Sequence, residues 1–170
     1  RLVGVAITDG AREIVLTTTD GKAIRFGEDE VRPMGREAAG VRGIRLGEGQ
    51  LVNSLIVVGE GYILTASQNG YGKLTEIAEF PQHGRGGQGV IALQTTERNG
   101  AMVGALLVTQ DDEIMLINSS GTLVRMPVRE ISVVGRNTQG VRLMRLGDDE
   151  KLVGLECVAG EGDAEGGGAG

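Results

Sequence analysis

Gly135-Arg136-Asn137-Thr138-Gln139-Gly140-Val141 decides the reading of this chain, because its frame occurs twice before. Gly84-Arg85-Gly86-Gly87-Gln88-Gly89-Val90 lies 51 residues upstream, and Gly35-Arg36-Glu37-Ala38-Ala39-Gly40-Val41 lies 49 residues further back. A repeat of about fifty residues predicts a ring or array of similar units, each too small to bury its own core. It also sets Arg36, Arg85 and Arg136 at equivalent places on successive units.

The unit boundaries follow from the openings Leu2-Val3, Leu51-Val52, Met102-Val103 and Leu152-Val153. They give repeats over about 2–50, 51–101 and 102–151, with a strand from a further unit at 152–158. Within the first unit four runs read as strands: 2–8, 13–19, 22–26 and 41–46. All are rich in Val, Ile, Leu and Thr, which suit pleated, half-buried backbone. Asp20-Gly21, Asn69-Gly70 and Ser120-Gly121 fall at one place in each unit and predict tight hairpins with positive φ at the turn centre. A loop of about fifteen residues carrying the Gly-Arg signature separates the third and fourth runs, and its recurrence marks it as a functional segment. Four antiparallel strands per repeat predict an all-β, propeller-like ring with at least three blades in residues 1–158. Trp-Asp blades are excluded, since the chain has no Trp. Residues 159–170 are acidic and Gly-rich and read as a flexible tail.

Thirty glycines exclude a helical protein, and two Phe and two Tyr leave the core to aliphatic side chains. A lone Cys157 allows no disulfide framework and suits a reducing cytosol. The longest apolar run, residues 101–108, is too short to cross a bilayer. The chain begins inside its own repeat pattern without a signal segment, which reads as a piece of a longer cytoplasmic protein.

Catalytic and metal chemistry find no support. Gly84-Arg85-Gly86-Gly87-Gln88-Gly89 formally matches a dinucleotide fingerprint, but a strand-like run follows it where a helix is required. His83 is the only histidine, so it and Cys157 cannot build a metal cluster. The acidic groups at 28–30, 111–113 and 148–150 lack calcium-loop spacing and read as solvated turns. No nucleophile has a base beside it.

The charge distribution points to a polyanion. The total is −6, but sixteen basic and sixteen acidic side chains balance over residues 1–147. The deficit comes from seven acids against Lys151 after that point. Fourteen of the seventeen cations are Arg, whose planar fork suits phosphate. A single exposed Arg is more often a minor salt-bridge partner, whereas a set that recurs with the repeat predicts a positive rim track. The candidate DNA-binding set is Arg36, Arg42, Arg45, Lys73, Arg85, Arg125, Arg129, Arg136, Arg142 and Arg145. Unit two is weaker, with Ile91 and Gln94 where the others have Arg. Few aromatics disfavour base stacking, so duplex suits the track better than single strand.

The runs at 41–49, 68–73 and 130–141 resemble the C-terminal domain of the DNA gyrase A subunit. The resemblance covers the chain to about Val158 and implies a β-pinwheel whose four-stranded blades exchange strands with their neighbours and wrap duplex DNA on a basic edge. The family's hallmark box, Gln-Arg-Arg-Gly-Gly-Lys-Gly, is absent. The loop His83, Gly84, Arg85, Gly86, Gly87, Gln88, Gly89 resembles a degenerate form lacking one Arg and the Lys. The resemblance therefore implies the last blades of the wheel. It further implies a role in ATP-dependent negative supercoiling by a bacterial, nucleoid-associated topoisomerase of two A and two B subunits. The catalytic residues, ATP and Mg2+ would lie elsewhere in that enzyme, with no cofactor here. Two other readings are the related wheel of the topoisomerase IV A subunit, and a protein-binding propeller of the chromosome-condensation regulator type.

Overall fold

Eleven strands form three antiparallel sheets in the computed structural model, which describes residues 6, 8, 10–31, 42–82 and 85–158. The signature at 35–41, His83, Gly84, most of the run at 2–8 and the tail at 159–170 lie outside the described residues.

The strands are β1 (Glu13–Thr18), β2 (Lys22–Gly27), β3 (Val52–Val57), β4 (Tyr62–Ser67), β5 (Tyr71–Glu76), β6 (Val90–Ile91), β7 (Met102–Val108), β8 (Glu113–Asn118), β9 (Leu123–Pro127), β10 (Val141–Arg142) and β11 (Leu152–Val158). The first two sheets have four strands, ordered β3-β1-β2-β6 and β10-β5-β4-β7. The third has three among the described residues, ordered β11-β8-β9. Sheet and sequence repeat are therefore offset. Each complete sheet takes its central hairpin from one unit and both flanking strands from the next.

That offset corrects the expected fourth strand. The run at 41–46 is not a strand over its described residues 42–46. Its counterparts β6 and β10 pair with the hairpin of the preceding unit, through Ala23↔Val90 and Gly72↔Val141. Residues 42–46 have no preceding hairpin among the described residues to pair with.

The hairpin turns also differ from expectation. Gly21, Gly70 and Gly121 have φ of 81°, 87° and 85°, while no described non-glycine residue has positive φ. Each Gly N–H bonds back three residues, to the carbonyls of Thr18, Ser67 and Asn118. A turn followed by one left-handed Gly connects strands by three residues, rather than the mirror-image two-residue turn.

Alternation along the strands places apolar side chains between sheets. Val15, Ile56, Ile63 and Phe80 pack between the first two, and Leu64, Leu74, Ile114 and Leu152 between the last two. The inner strands adjoin: β7 packs against both β3 and β11. Asn53 Nδ2 donates to the Met102 carbonyl (2.9 Å), and the Ala105 N–H donates to Ser54 Oγ (2.9 Å). This hub leaves β6 and β10 on the opposite, outer edge.

Candidate nucleic-acid interface

The signature loop is a joint between units before it is a surface. In each unit a 3-10 turn follows the hairpin, at Glu28–Glu30, Ile77–Glu79 and Val128–Glu130. The last Glu of that turn receives the next unit's signature Arg: the Arg85 N–H donates to Glu30 Oε1 (3.3 Å) and the Arg136 N–H to Glu79 Oε1 (2.9 Å). The guanidiniums bind backbone. Arg85 Nε donates to the Glu30 carbonyl (2.9 Å) and Nη1 to the Arg42 carbonyl (3.2 Å). Arg136 Nη1 donates to the Ile91 carbonyl (2.7 Å). Both side chains are half-buried. These two arginines tie neighbouring units together, and only their remaining N–H groups face outward.

The final signature Gly is fixed by close approach. Gly89 and Gly140 have φ of 77° and 76°, and a Cβ there would lie 2.4 Å from the Ala23 carbonyl and 2.5 Å from the Gly72 carbonyl. Only a residue without Cβ lets this loop lie on the preceding strand.

Lys73 departs from its expected role. It is 0% exposed. Its ammonium donates to the carbonyls of Gly135 (2.7 Å), Arg136 and Thr138 (3.1 Å), and to Thr138 Oγ1 (3.2 Å). Burial lowers its pKa to about 8, with Glu79 opposing and Arg136 adding to the shift. A lysine held this way shapes the loop and cannot meet a phosphate on the rim. The register puts Ile24 at its place in the first sheet.

Among the other candidates, Arg42, Arg45, Arg129, Arg142 and Arg145 are exposed. None of the five makes an ion pair among the described residues. Arg142 and Arg145 lie in and after β10, on the outer edge, and Arg42 and Arg45 take the equivalent places in unit one. Arg125 is exposed but pairs with Glu113, repeating the Arg25–Glu13 pair of the first sheet (2.5 Å). Arg45 also lines a cleft of about 200 Å3 with Thr18, Asp20, Lys22 and Gln88. Gly86, Gly87 and Gln88 of the box-like loop are partly or fully exposed.

Sequence reasoning missed Arg98 and Tyr71. The Arg98 guanidinium lies 4.0 Å from the centre of the Tyr71 ring, and that of Arg142 lies 5.4 Å from it. Arg98 stands outside the signature, so its role was invisible to a search for recurring Arg. It also missed Glu30 and Glu79, although they stand 49 residues apart, the spacing of the first two signatures.

A profile described as "DNA gyrase C-terminal domain, beta-propeller" matches residues 12–59, 61–109 and 112–159. The DNA gyrase A subunit of Pseudomonas aeruginosa is 57% identical over 158 residues, which cover 92% of this chain and 17% of that protein. The chain thus spans about a fifth of the length of the curated relatives it matches. A solved DNA gyrase A C-terminal domain superposes with a TM-score of 0.80 at 29% identity, over 86% of this chain and 50% of that one. The C-terminal domain of a DNA topoisomerase IV superposes at 0.86 with 28% identity, over 92% and 50%. The fold is common to both wheels, and the higher sequence identity lies with the gyrase A subunit. The chain belongs to the DNA gyrase C-terminal domain family of beta-propellers.

Proposed function

We propose that this chain binds duplex DNA along its outer edge without sequence preference and bends it, as part of a gyrase A subunit. The observation that carries the reading is the set Arg42, Arg45, Arg142 and Arg145, exposed and free of ion pairs among the described residues, at equivalent positions of units one and three. Phosphate contacts made by such a set release counterions and are independent of sequence. Bending a 20–30 base-pair segment costs on the order of 1–6 kcal/mol, which several phosphate contacts offset. In the whole enzyme the bent segment would be presented for strand passage, with ATP and Mg2+ on other domains and the B subunit as partner. The outcome would be negative supercoiling in the bacterial cytoplasm.

A linking-number assay tests the reading. A plasmid is relaxed in the presence of the chain, stripped of protein and resolved by topoisomer. A shift in linking number is the expected result. Salt-sensitive binding with no shift would reduce the role to binding alone. Absence of salt-dependent duplex binding would favour a protein-binding propeller.

A further inference from the structure

Tyr71 opens β5 immediately after the Asn69-Gly70 turn and stands where units two and three meet. Arg98 reaches it from the end of unit two and Arg142 from β10 of unit three. Arg142 Nη2 donates to the Tyr71 hydroxyl (2.9 Å). Arg98 is braced on its other side: Nη2 donates to the Gly140 carbonyl (2.8 Å) and Nε to Asn99 Oδ1 (3.2 Å). Asn99 is itself 0% exposed, and its Nδ2 donates to the Gln94 and Gln139 carbonyls (2.7 and 2.8 Å). A third cation is drawn in through Asn69, whose Oδ1 accepts from Lys151 Nζ (2.6 Å) and whose Nδ2 donates to the Arg98 carbonyl (2.8 Å).

Like charges repel, so two guanidiniums held against one ring need a reason. Neither Arg98 nor Arg142 makes an ion pair among the described residues, and the exposed Glu97 beside them makes none either. Both arginines are exposed. The hydrogen bonds that brace them leave Arg98 Nη1 and Arg142 Nε and Nη1 without an acceptor among the described residues. The register puts Lys22 and Thr122 at the place of Tyr71 in the other sheets, so no other sheet offers an aromatic platform there. Free guanidinium N–H groups, fixed in place and turned to solvent, match the oxygens of a phosphate.

We infer that Tyr71, Arg98 and Arg142 form a phosphate clamp, in which the two guanidiniums share one backbone phosphate of duplex DNA and Tyr71 holds them apart from each other at fixed spacing. The clamp rests on the DNA-binding reading above for its natural ligand. Its location at a joint between units fixes one DNA contact relative to both neighbouring sheets. The lowered pKa of Tyr71, caused first by its hydrogen bond from Arg142 and also by the charges of both arginines, agrees with an electropositive locus.

Two measurements on the 170-residue chain test it. The first is duplex affinity against salt for Arg98→Gln, Arg142→Gln and the double variant. A shared phosphate predicts that the double change lowers the log–log salt slope by about one rather than two, and that neither single change lowers it by more than that. An unchanged slope in the double variant, or an additive loss of two, would overturn the clamp. The second follows the Tyr71 ring resonance by NMR, assigned by its loss in Tyr71→Phe, during titration with inorganic phosphate against chloride. The ring signal should move in the native chain and stay still in Arg142→Gln, which breaks no tie to backbone. A static native signal overturns the clamp whatever happens with DNA. A moving signal without duplex binding keeps the clamp and rejects the DNA reading.

Discussion

At the scale of single residues, one member of the expected DNA-binding set, Lys73, is the most internal of the described candidates. Lys73 closes the loop at 135–138 from beneath, and Lys73→Met would strand the Arg136 carbonyl and leave those of Gly135 and Thr138 only their bonds from Thr138 and Gln94. Leaving buried acceptors unpaired costs about 1–3 kcal/mol, so the urea midpoint of this variant should fall by a corresponding amount. The pH dependence has a definite sign. With the folded pKa at about 8 and the ordinary value at 10.5, the unfolded chain binds more protons between those limits. Stability of the native chain relative to Lys73→Met should therefore rise from pH 8 to about 10.5, by roughly 1–3 kcal/mol. A flat or falling difference in urea midpoints across that window would show that the four oxygens outweigh burial. Gly140 gives a second residue-level case. Gly140→Ala meets both a left-handed backbone and the Gly72 carbonyl, whereas Gly121→Ala meets the backbone cost alone, with φ of 85° and nothing within 4 Å. The control should lose about 1 kcal/mol and Gly140→Ala clearly more, in denaturant midpoints read side by side.

At the scale of elements, the molecule is organised by what each unit lends to the one before. β6 covers the outer edge of the first sheet and leaves Ala23 1% exposed, while its counterpart Leu123 in the third sheet is 58% exposed. The loop before β10 adds a further tie, since the Leu74 N–H donates to the Ser132 carbonyl (3.0 Å). The register makes Arg125 the equivalent of Leu74, and its outward N–H has no acceptor among the described residues. Amide hydrogen exchange at Arg125 should be much faster than at Leu74, and equal protection would mean that β9 has an unseen partner. The hairpins behind these edges were legible, because β1, β2, β4, β5, β8 and β9 carry apolar runs split by a turn glycine at a fixed place. The lending was not legible from periodicity. β6 and β10 have two residues each, too short to display alternation, and their partners lie in another unit. The run at 41–46 shows the consequence: its pattern is that of a strand, but pairing, not pattern, makes one. The same limit applied to the site. Recurrence found Arg85 and Arg136 but could not tell an inter-unit tie from a surface contact, and it passed over Arg98 because nothing like it recurs.

At the scale of the whole molecule, the balance of charge sets the strength of any rim contact. Arg42, Arg45, Arg142 and Arg145 carry no ion pairs among the described residues, so they are open to any polyanion within reach. The chain supplies one of its own after residue 160, where Glu161, Asp163 and Glu165 stand without a compensating base. A tethered segment acts at a high effective concentration, so even three charges can compete with DNA at the rim. The cut that tests this must spare β11, which pairs with β8 along Leu152–Val158 and closes the core through Leu152. Truncation after Gly160 meets that condition. It should tighten duplex binding several-fold at low salt, and the gain should fade as the screening length falls to about 8 Å near 0.15 M and shorter beyond. Titration of native and truncated chains across that range measures both effects together. Equal affinities and equal salt slopes would remove the tail from the mechanism and leave the rim arginines to bind DNA uncontested.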